Sequence, residues 1–152
     1  MDLQKFELFV FFLPSKTLYS PLQTINSQLI MNIEQLYQFC QSKKGVTEHF
    51  PFDEDTLVFK VGGKMFCLTS LKEWENGTPS LNLKCEPEKA LELRAEYDAI
   101  NPGYHMSKIH WNTVAFHSDV DDRMMRELIN HSYELVFKSL TKKIQNEIIN
   151  QH

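Results

Sequence analysis

The segment that most constrains the fold runs from residue 56 to residue 71 and predicts a β-hairpin. TLVFKV and KMFCLTSL are rich in β-branched and aromatic residues, and only Gly62 and Gly63 separate them. Two glycines suit a two-residue hairpin turn because that turn needs positive φ angles. If the strands pair directly across the turn, alternation assigns one set of residues to the core face: Leu57, Phe59, Phe66 and Leu68. The other face would carry Val58, Lys60, Met65, Cys67 and Thr69.

Helices are expected before and after this hairpin. Asn32 and Gln35 have the spacing of a capping box, and apolar residues follow at helical intervals as far as Cys40. Pro87 suits the first position of a helix that runs to about Tyr97. A long helix is predicted from near Asp119, and a short one closes the chain. The apolar stripe of the long helix comprises Met125, Leu128, Ile129, Ser132, Leu135, Val136 and Leu140.

Further strands are predicted at SLNLKC and between His105 and His117. In SLNLKC the leucines alternate with Asn82 and Lys84, which should point outward. Strands and helices in this order predict an α+β fold, in which helices pack on one face of an antiparallel sheet.

Length and composition indicate one domain with an N-terminal extension. The chain has 152 residues, 42% of them hydrophobic, which is enough apolar side chain for one core. FELFVFFLP is far shorter than the roughly 20 residues that a membrane-spanning helix requires. We therefore expect an extension over residues 1–30, a domain over residues 31–152 that would be complete if translated from Met31, and no membrane insertion.

Cysteine usage and charge limit the possible partners. The three scattered cysteines form no C-x-x-C pair, so we expect a cytoplasmic protein without a disulfide framework or a zinc knuckle. Separately, we expect a monomer that holds no metal and no cofactor. A formal net charge of -4 argues against binding polyanions through the overall field of the protein. Any contact with nucleic acid must use a local cationic patch.

The stretch GYHMSKIHWNTV, residues 103–114, is the densest group of candidate functional residues. On a continuous strand, Lys108, His110 and Asn112 would share one face, where they suit phosphates and base edges. Lys60 and Lys84 would add charge from neighbouring strands, although exposed lysines are common on any sheet. Tyr104 and Trp111 can stack on bases, but the apolar neighbours of Trp111 favour a place in the core.

Other interpretations of this stretch remain open. His105 and His110 are an odd number of residues apart and would point to opposite faces, so they predict no metal clamp. No recognised catalytic motif occurs in the chain, and we expect no enzyme activity. The surface around Tyr104, His110 and Trp111 could instead bind a protein or a small ligand. A third hypothesis is an enzyme that uses His110 or His131. A histidine in the middle of a helix, such as His131, is more often a packing residue.

From about Asn32 to Lys143 the sequence resembles the MmcQ/YjbR family of small bacterial proteins. The segments that carry the resemblance are GVTEHFPF, VFKVGGKMFCL, LNLKCEP, PGYHMSKIHWNTV and ELINHSYELV. It implies a CyaY-like (frataxin-like) fold with a double-wing arrangement of strands, and the label DNA-binding. The shared positions are Gly103, Tyr104, His105, Lys108, His110, Trp111, Asn112, Thr113, His131, Ser132 and Tyr133.

This chain also departs from the family pattern. Ser107 and Ile109 stand where polar or basic residues are frequent, and the first thirty residues have no counterpart. Iron binding by frataxins is not carried over, because Glu34 is the only carboxylate of the first helix. The expectation is therefore a non-enzymatic DNA-binding domain with one set of site residues: Lys60, Lys84, Tyr104, His105, Lys108, His110 and Asn112.

Overall fold

The computed structural model describes residues 30–151 as five helices and six strands, which confirms the α+β prediction. The strands are β1 (Val46–His49), β2 (Thr56–Val61), β3 (Lys64–Ser70), β4 (Ser80–Lys84), β5 (Ile100–Pro102) and β6 (Trp111–Ala115). The helices are α1 (Ile33–Gln41), α2 (Leu71–Glu75), α3 (Pro87–Glu96), α4 (Asp122–Lys138) and α5 (Lys142–Ile149). The extension predicted for residues 1–30 lies, apart from Ile30, outside the described residues.

The six strands form one antiparallel sheet in the order β1-β2-β3-β4-β6-β5. The predicted hairpin is present, and Gly62 and Gly63 have φ angles of 57° and 80°. Its register is as predicted only next to the turn, because a bulge at Phe66 shifts the pairing. Beyond the bulge, Phe59 pairs with Cys67 and Val58 with Leu68. Direct pairing across the turn would have placed Phe59 opposite Phe66 and Leu57 opposite Leu68, so the predicted register was wrong beyond the bulge.

The bulge moves three residues to the face opposite the predicted one: Cys67, Leu68 and Thr69. Thr69 pairs with Leu57 and is therefore buried on the helix-covered face. Phe66 and Cys67 both lie in the main core, between the sheet and the helices, although they are adjacent in sequence. Leu68, which was predicted to face the core, instead packs on the opposite face with Val58 and Trp111. Met65 and Met106 are partly buried against this small second cluster. The sheet therefore has apolar contacts on both faces, but helices on only one.

The helices begin close to the predicted positions. Asn32 and Gln35 form the capping box of α1, each side chain bonding the other's backbone N–H at 2.8 and 3.0 Å. Pro87 is the first residue of α3, as predicted. Asp121, rather than Asp119, caps α4, because the Asp119 carboxylate instead accepts hydrogen bonds from the backbone of Asp98 and Ala99.

The strand predicted between residues 105 and 117 is much shorter, since β6 covers only Trp111–Ala115. Residues 103–110 instead form two consecutive turns, with hydrogen bonds from Met106 N to Gly103 O and from His110 N to Ser107 O. The short elements β1, β5 and α2 were not predicted. Within residues 30–151, no helix has the length and apolar character needed to cross a membrane.

Candidate nucleic-acid interface

The candidate interface is the face of the sheet that carries no helix, called here the open face. The register places Lys60, Lys84 and Thr113 on this face together with the second apolar cluster, because directly paired residues point to the same side. Lys60 lies on β2 and Lys84 on β4, so their strands are separated by β3 and by roughly 10 Å. The outward orientation predicted for these two lysines is confirmed.

The open face has no carboxylate among its strand residues, although the whole chain is acidic. Glu48 is the only Asp or Glu in the six strands, and it pairs with Phe59 on the helix-covered face. Its carboxylate accepts a hydrogen bond from Gln41 of α1. Among the described residues, Lys60, Lys84 and Lys108 form no ion pair with a carboxylate. The lysines of the open face are therefore not paired with any carboxylate among the described residues.

Residues 103–110, called here the 103–110 loop, fold back over the open face. Met106 packs against the second apolar cluster, whose members Val58 and Leu68 lie on β2 and β3. Trp111 is only 8% exposed in this cluster. The preference for a packing role of Trp111 was therefore correct, but its neighbours lie on the open face rather than in the main core.

Polar contacts fix the start of the loop above β4 and β6. The Thr113 hydroxyl donates to Asn82 Oδ1 at 2.5 Å and accepts from the backbone N–H of Tyr104 at 2.9 Å. Asn82 Nδ2 in turn donates to the carbonyl of Tyr104 at 3.5 Å. Gly103 allows this close approach, because a Cβ there would lie 2.8 Å from Trp111 Cβ and 3.0 Å from its carbonyl oxygen.

Arg94 of α3 holds the end of the loop from the other side of the sheet. Its Nε donates to Asn112 Oδ1 at 2.7 Å, and its Nη2 donates to the carbonyls of Lys108 and, at 3.1 Å, Trp111. Asn112 is 2% exposed and lies on the helix-covered face. The prediction that Asn112 shares an accessible face with Lys108 and His110 was therefore wrong, because the strand begins only at Trp111.

The remaining candidate residues are exposed on the loop. Tyr104 is 67% exposed, and its ring centroid lies 4.0 Å from that of His105. His105 has a φ of 55°, which helps to turn the chain above the sheet. Lys108 and His110 are exposed in the second turn of the loop. Tyr104, His105, Lys108 and His110 therefore lie on one loop, and Lys60 and Lys84 on the face beneath and beside it.

His49 is an open-face residue that sequence reasoning missed. It pairs with Val58, and its Nε2 lies 2.8 Å from the hydroxyl of Thr47. Partial burial lowers the pKa of His49, and the nearby Lys60 lowers it further. The β1 strand that carries His49 has four residues, which is too short for a clear alternation pattern.

The other positions that hold the site, Asn82 and Arg94, were also not predicted as anchors. Arg94 lies in the last turn of α3, where a basic residue is expected from helix electrostatics alone. Nothing in the local sequence indicates that its guanidinium reaches Asn112.

His131 occupies a half-buried position in α4, and its Nε2 is buried without a hydrogen-bond partner among the described residues. Burial, and then the charge of Lys89, lowers its pKa in the folded protein. Below the ordinary histidine pKa of about 6.5, the unfolded chain binds a proton more readily than the folded one. We therefore expect the free energy of unfolding to fall as the pH drops from about 7 to about 5.

Urea unfolding at pH 7.5 and pH 5.5 checks this expectation for wild type and His131→Gln. The variant should lose less stability than wild type over that interval, because it cannot gain the proton. Equal losses in the two proteins would contradict the assignment of this pH dependence to His131.

Two other types of site, a metal centre and a ligand pocket, were considered among the described residues. Within residues 30–151, no group of three or more His, Cys, Asp or Glu side chains is arranged to hold a metal ion. A pocket of about 230 Å³ lies on the helix-covered side, where Met31, Phe116, Val120 and Met125 contribute to its wall. It contains none of the predicted site residues.

Comparison with known proteins extends the resemblance seen in the sequence. The YjbR family model matches residues 41–135, a range that includes all six strands and the 103–110 loop. The Escherichia coli O157:H7 protein YbdF is 40% identical over 99 residues, which cover 65% of this chain and 79% of YbdF. The Bacillus subtilis (strain 168) protein YyaQ is 40% identical over 55 residues, or 36% of this chain and 46% of YyaQ. Both relatives are named as uncharacterised proteins.

Solved structures have the same fold. The crystal structure of Deinococcus radiodurans protein DR2400, described by the family-model domain DUF419, matches with a TM-score of 0.72 and 37% identity. The match covers 78% of this chain and 88% of that one. A Pseudomonas syringae protein solved by NMR in solution matches with a TM-score of 0.57 and 29% identity, covering 70% and 93% of the two chains.

Proposed function

Since the chain belongs to the YjbR family, we propose that it binds DNA through the open face and the 103–110 loop, and that it catalyses no reaction. The main support is the distribution of charge. Lys60, Lys84 and Lys108 lie on a surface to which the strands and the loop contribute no carboxylate, because Glu48 of β1 points to the helix-covered face. Phosphate binding depends on local cation density rather than on net charge, so the acidic composition elsewhere does not prevent it.

The role of each residue follows from its position. Lys60, Lys84 and Lys108 would contact phosphates, since their amines have no acidic partner among the described residues. His105 and His110, exposed on the loop, would donate hydrogen bonds to phosphate oxygens or base edges. Asn112 would contribute to binding only indirectly, by helping to hold the end of the loop, because its amide oxygen accepts a hydrogen bond from Arg94.

A cytoplasmic location is part of the proposal. Cys40, Cys67 and Cys85 are all buried and unbridged. Burial raises the pKa of the Cys67 and Cys85 thiols, which keeps them protonated and unreactive. Such thiols suit a reducing compartment.

Fluorescence anisotropy with a labelled DNA duplex at several salt concentrations tests the proposal. We expect the triple variant Lys60→Ala, Lys84→Ala, Lys108→Ala to bind at least about tenfold more weakly than wild type. The slope of log affinity against log salt should become shallower by about 0.9 for each lysine that contacts a phosphate.

The matched control replaces Lys72, Lys142 and Lys143 of α2 and α5 with alanine. This triple variant loses the same charge from exposed helix positions outside the open face. Equal weakening in the two variants would contradict a local interface, and affinity that is indifferent to salt would contradict phosphate contact altogether.

A further inference from the structure

The dimensions of the open face are a poor match to the grooves of a DNA duplex. Six strands have five spacings of about 4.8 Å, so the sheet is roughly 24 Å wide. The major groove is only about 12 Å wide and admits one helix or a two-stranded ribbon. The helices of residues 30–151 pack on the opposite face of the sheet. The sheet face therefore cannot enter a groove to read paired bases.

The amides near the loop are also occupied by contacts within the protein. Asn82 bonds Thr113 and the carbonyl of Tyr104, Asn112 bonds Arg94, and Asn101 donates to the carbonyl of Asp98 at 3.4 Å. Asparagine reads adenine through a free, bidentate amide. These three side chains therefore hold the loop and the β5 edge. Few side-chain donors on this surface remain free to bond base edges.

Tyr104, in contrast, is available for stacking. Its ring contacts that of His105, with the centroids 4.0 Å apart, but the residue is still 67% exposed. Its backbone is fixed at both the N–H and the carbonyl, by Thr113 and Asn82. An aromatic ring held on a rigid backbone above a cationic sheet suits the flat face of an unpaired base.

We infer that the ligand of the open face is single-stranded nucleic acid, with a base stacked on Tyr104 and the phosphates directed toward Lys60, Lys84 and Lys108. This inference rests on the proposed function and narrows it to unpaired strands. Stacking does not depend on the identity of the base, because every base has a π face. Binding should therefore show little sequence preference.

Three labelled probes of equal length test the inference by fluorescence anisotropy at low salt: a twelve-nucleotide oligothymidine, its duplex with oligoadenosine, and a twelve-unit abasic strand. We expect wild type to bind oligothymidine about tenfold more tightly than the abasic strand, which has the phosphates but no bases. Tyr104→Ala should reduce oligothymidine affinity to the level of the abasic strand, whereas Tyr104→Phe should retain the preference.

The outcomes separate this inference from the proposed function. Duplex affinity equal to or above that of oligothymidine would overturn the inference while leaving DNA binding intact. Equal affinity for oligothymidine and the abasic strand, or an unchanged Tyr104→Ala variant, would also overturn stacking. Failure of all three probes to bind would overturn both the inference and the proposed function. Circular dichroism of Tyr104→Ala verifies that the exposed substitution leaves the fold intact.

Discussion

Replacing Ser132 with alanine is expected to lower the free energy of unfolding by about 3 kcal/mol. Ser132 is completely buried in α4, and its hydroxyl connects two strands at the bulge of β3. It donates to the carbonyl of Phe66 at 2.5 Å and accepts from the N–H of Lys84 at 2.8 Å. Alanine would leave both backbone groups buried without a partner, and each such group costs about 1–3 kcal/mol.

Urea unfolding followed by circular dichroism at 25 °C measures this loss. Ser139→Ala is the matched control, because Ser139 is exposed at the end of the same helix. Its hydroxyl donates to the Val136 carbonyl and accepts from Lys64 Nζ at the exposed helix end, so we expect that control to lose no more than about 1 kcal/mol. A Ser132→Ala loss as small as that of the control would mean that the hydroxyl does not hold β3 and β4 together.

Replacing Arg94 with methionine is expected to cost about 3 kcal/mol of stability and to weaken nucleic-acid binding. Methionine keeps an apolar stem but removes the donors to Asn112 Oδ1 and to the carbonyls of Lys108 and Trp111. Hydrogen bonds from a charged donor contribute about 1.5–3 kcal/mol each, and the Asn112 amide is buried. The end of the 103–110 loop would then lose its anchor.

Hydrogen exchange of the loop amides distinguishes local from global effects. Exchange rates in Arg94→Met are compared with those of wild type. The increase should be larger for the amides of His110 and Trp111 than for those of the β2–β3 hairpin. Arg94→Lys is the matched variant, because one amine keeps the charge but cannot bond three acceptors as a planar guanidinium does. It should be intermediate in stability. If the loop amides of Arg94→Met exchange as slowly as those of the wild type, Arg94 does not anchor the loop.

Features encoded locally were predicted from the sequence. The capping box of α1 requires two side chains three residues apart, and the turn of the hairpin requires two glycines. The burial of Ser132 was also predicted, since it lies in the apolar stripe of α4. Each of these depends on neighbouring residues, so a pattern in the sequence is sufficient to indicate it.

Features that depend on distant parts of the chain were not predicted. The bulge at Phe66 lies where Ser132, 66 residues away, bonds the Phe66 carbonyl and links β3 to β4. Alternation alone therefore assigned Leu68 to the wrong face. The burial of Asn112 on the helix-covered face depends on Arg94, 18 residues earlier, and on a loop that returns across the sheet. Lys60 and Lys84 were placed correctly because strand alternation alone determines their side.

The second apolar cluster has a consequence for the thermodynamics of association. Met106 and Trp111 are packed against Val58 and Leu68, so contacts within the protein hold the surface that carries Tyr104. A binding loop that must become ordered loses conformational entropy, which offsets part of the contact energy. If the open face binds nucleic acid as proposed, most of that entropy is lost during folding rather than on binding, so fewer contacts are needed for a given affinity.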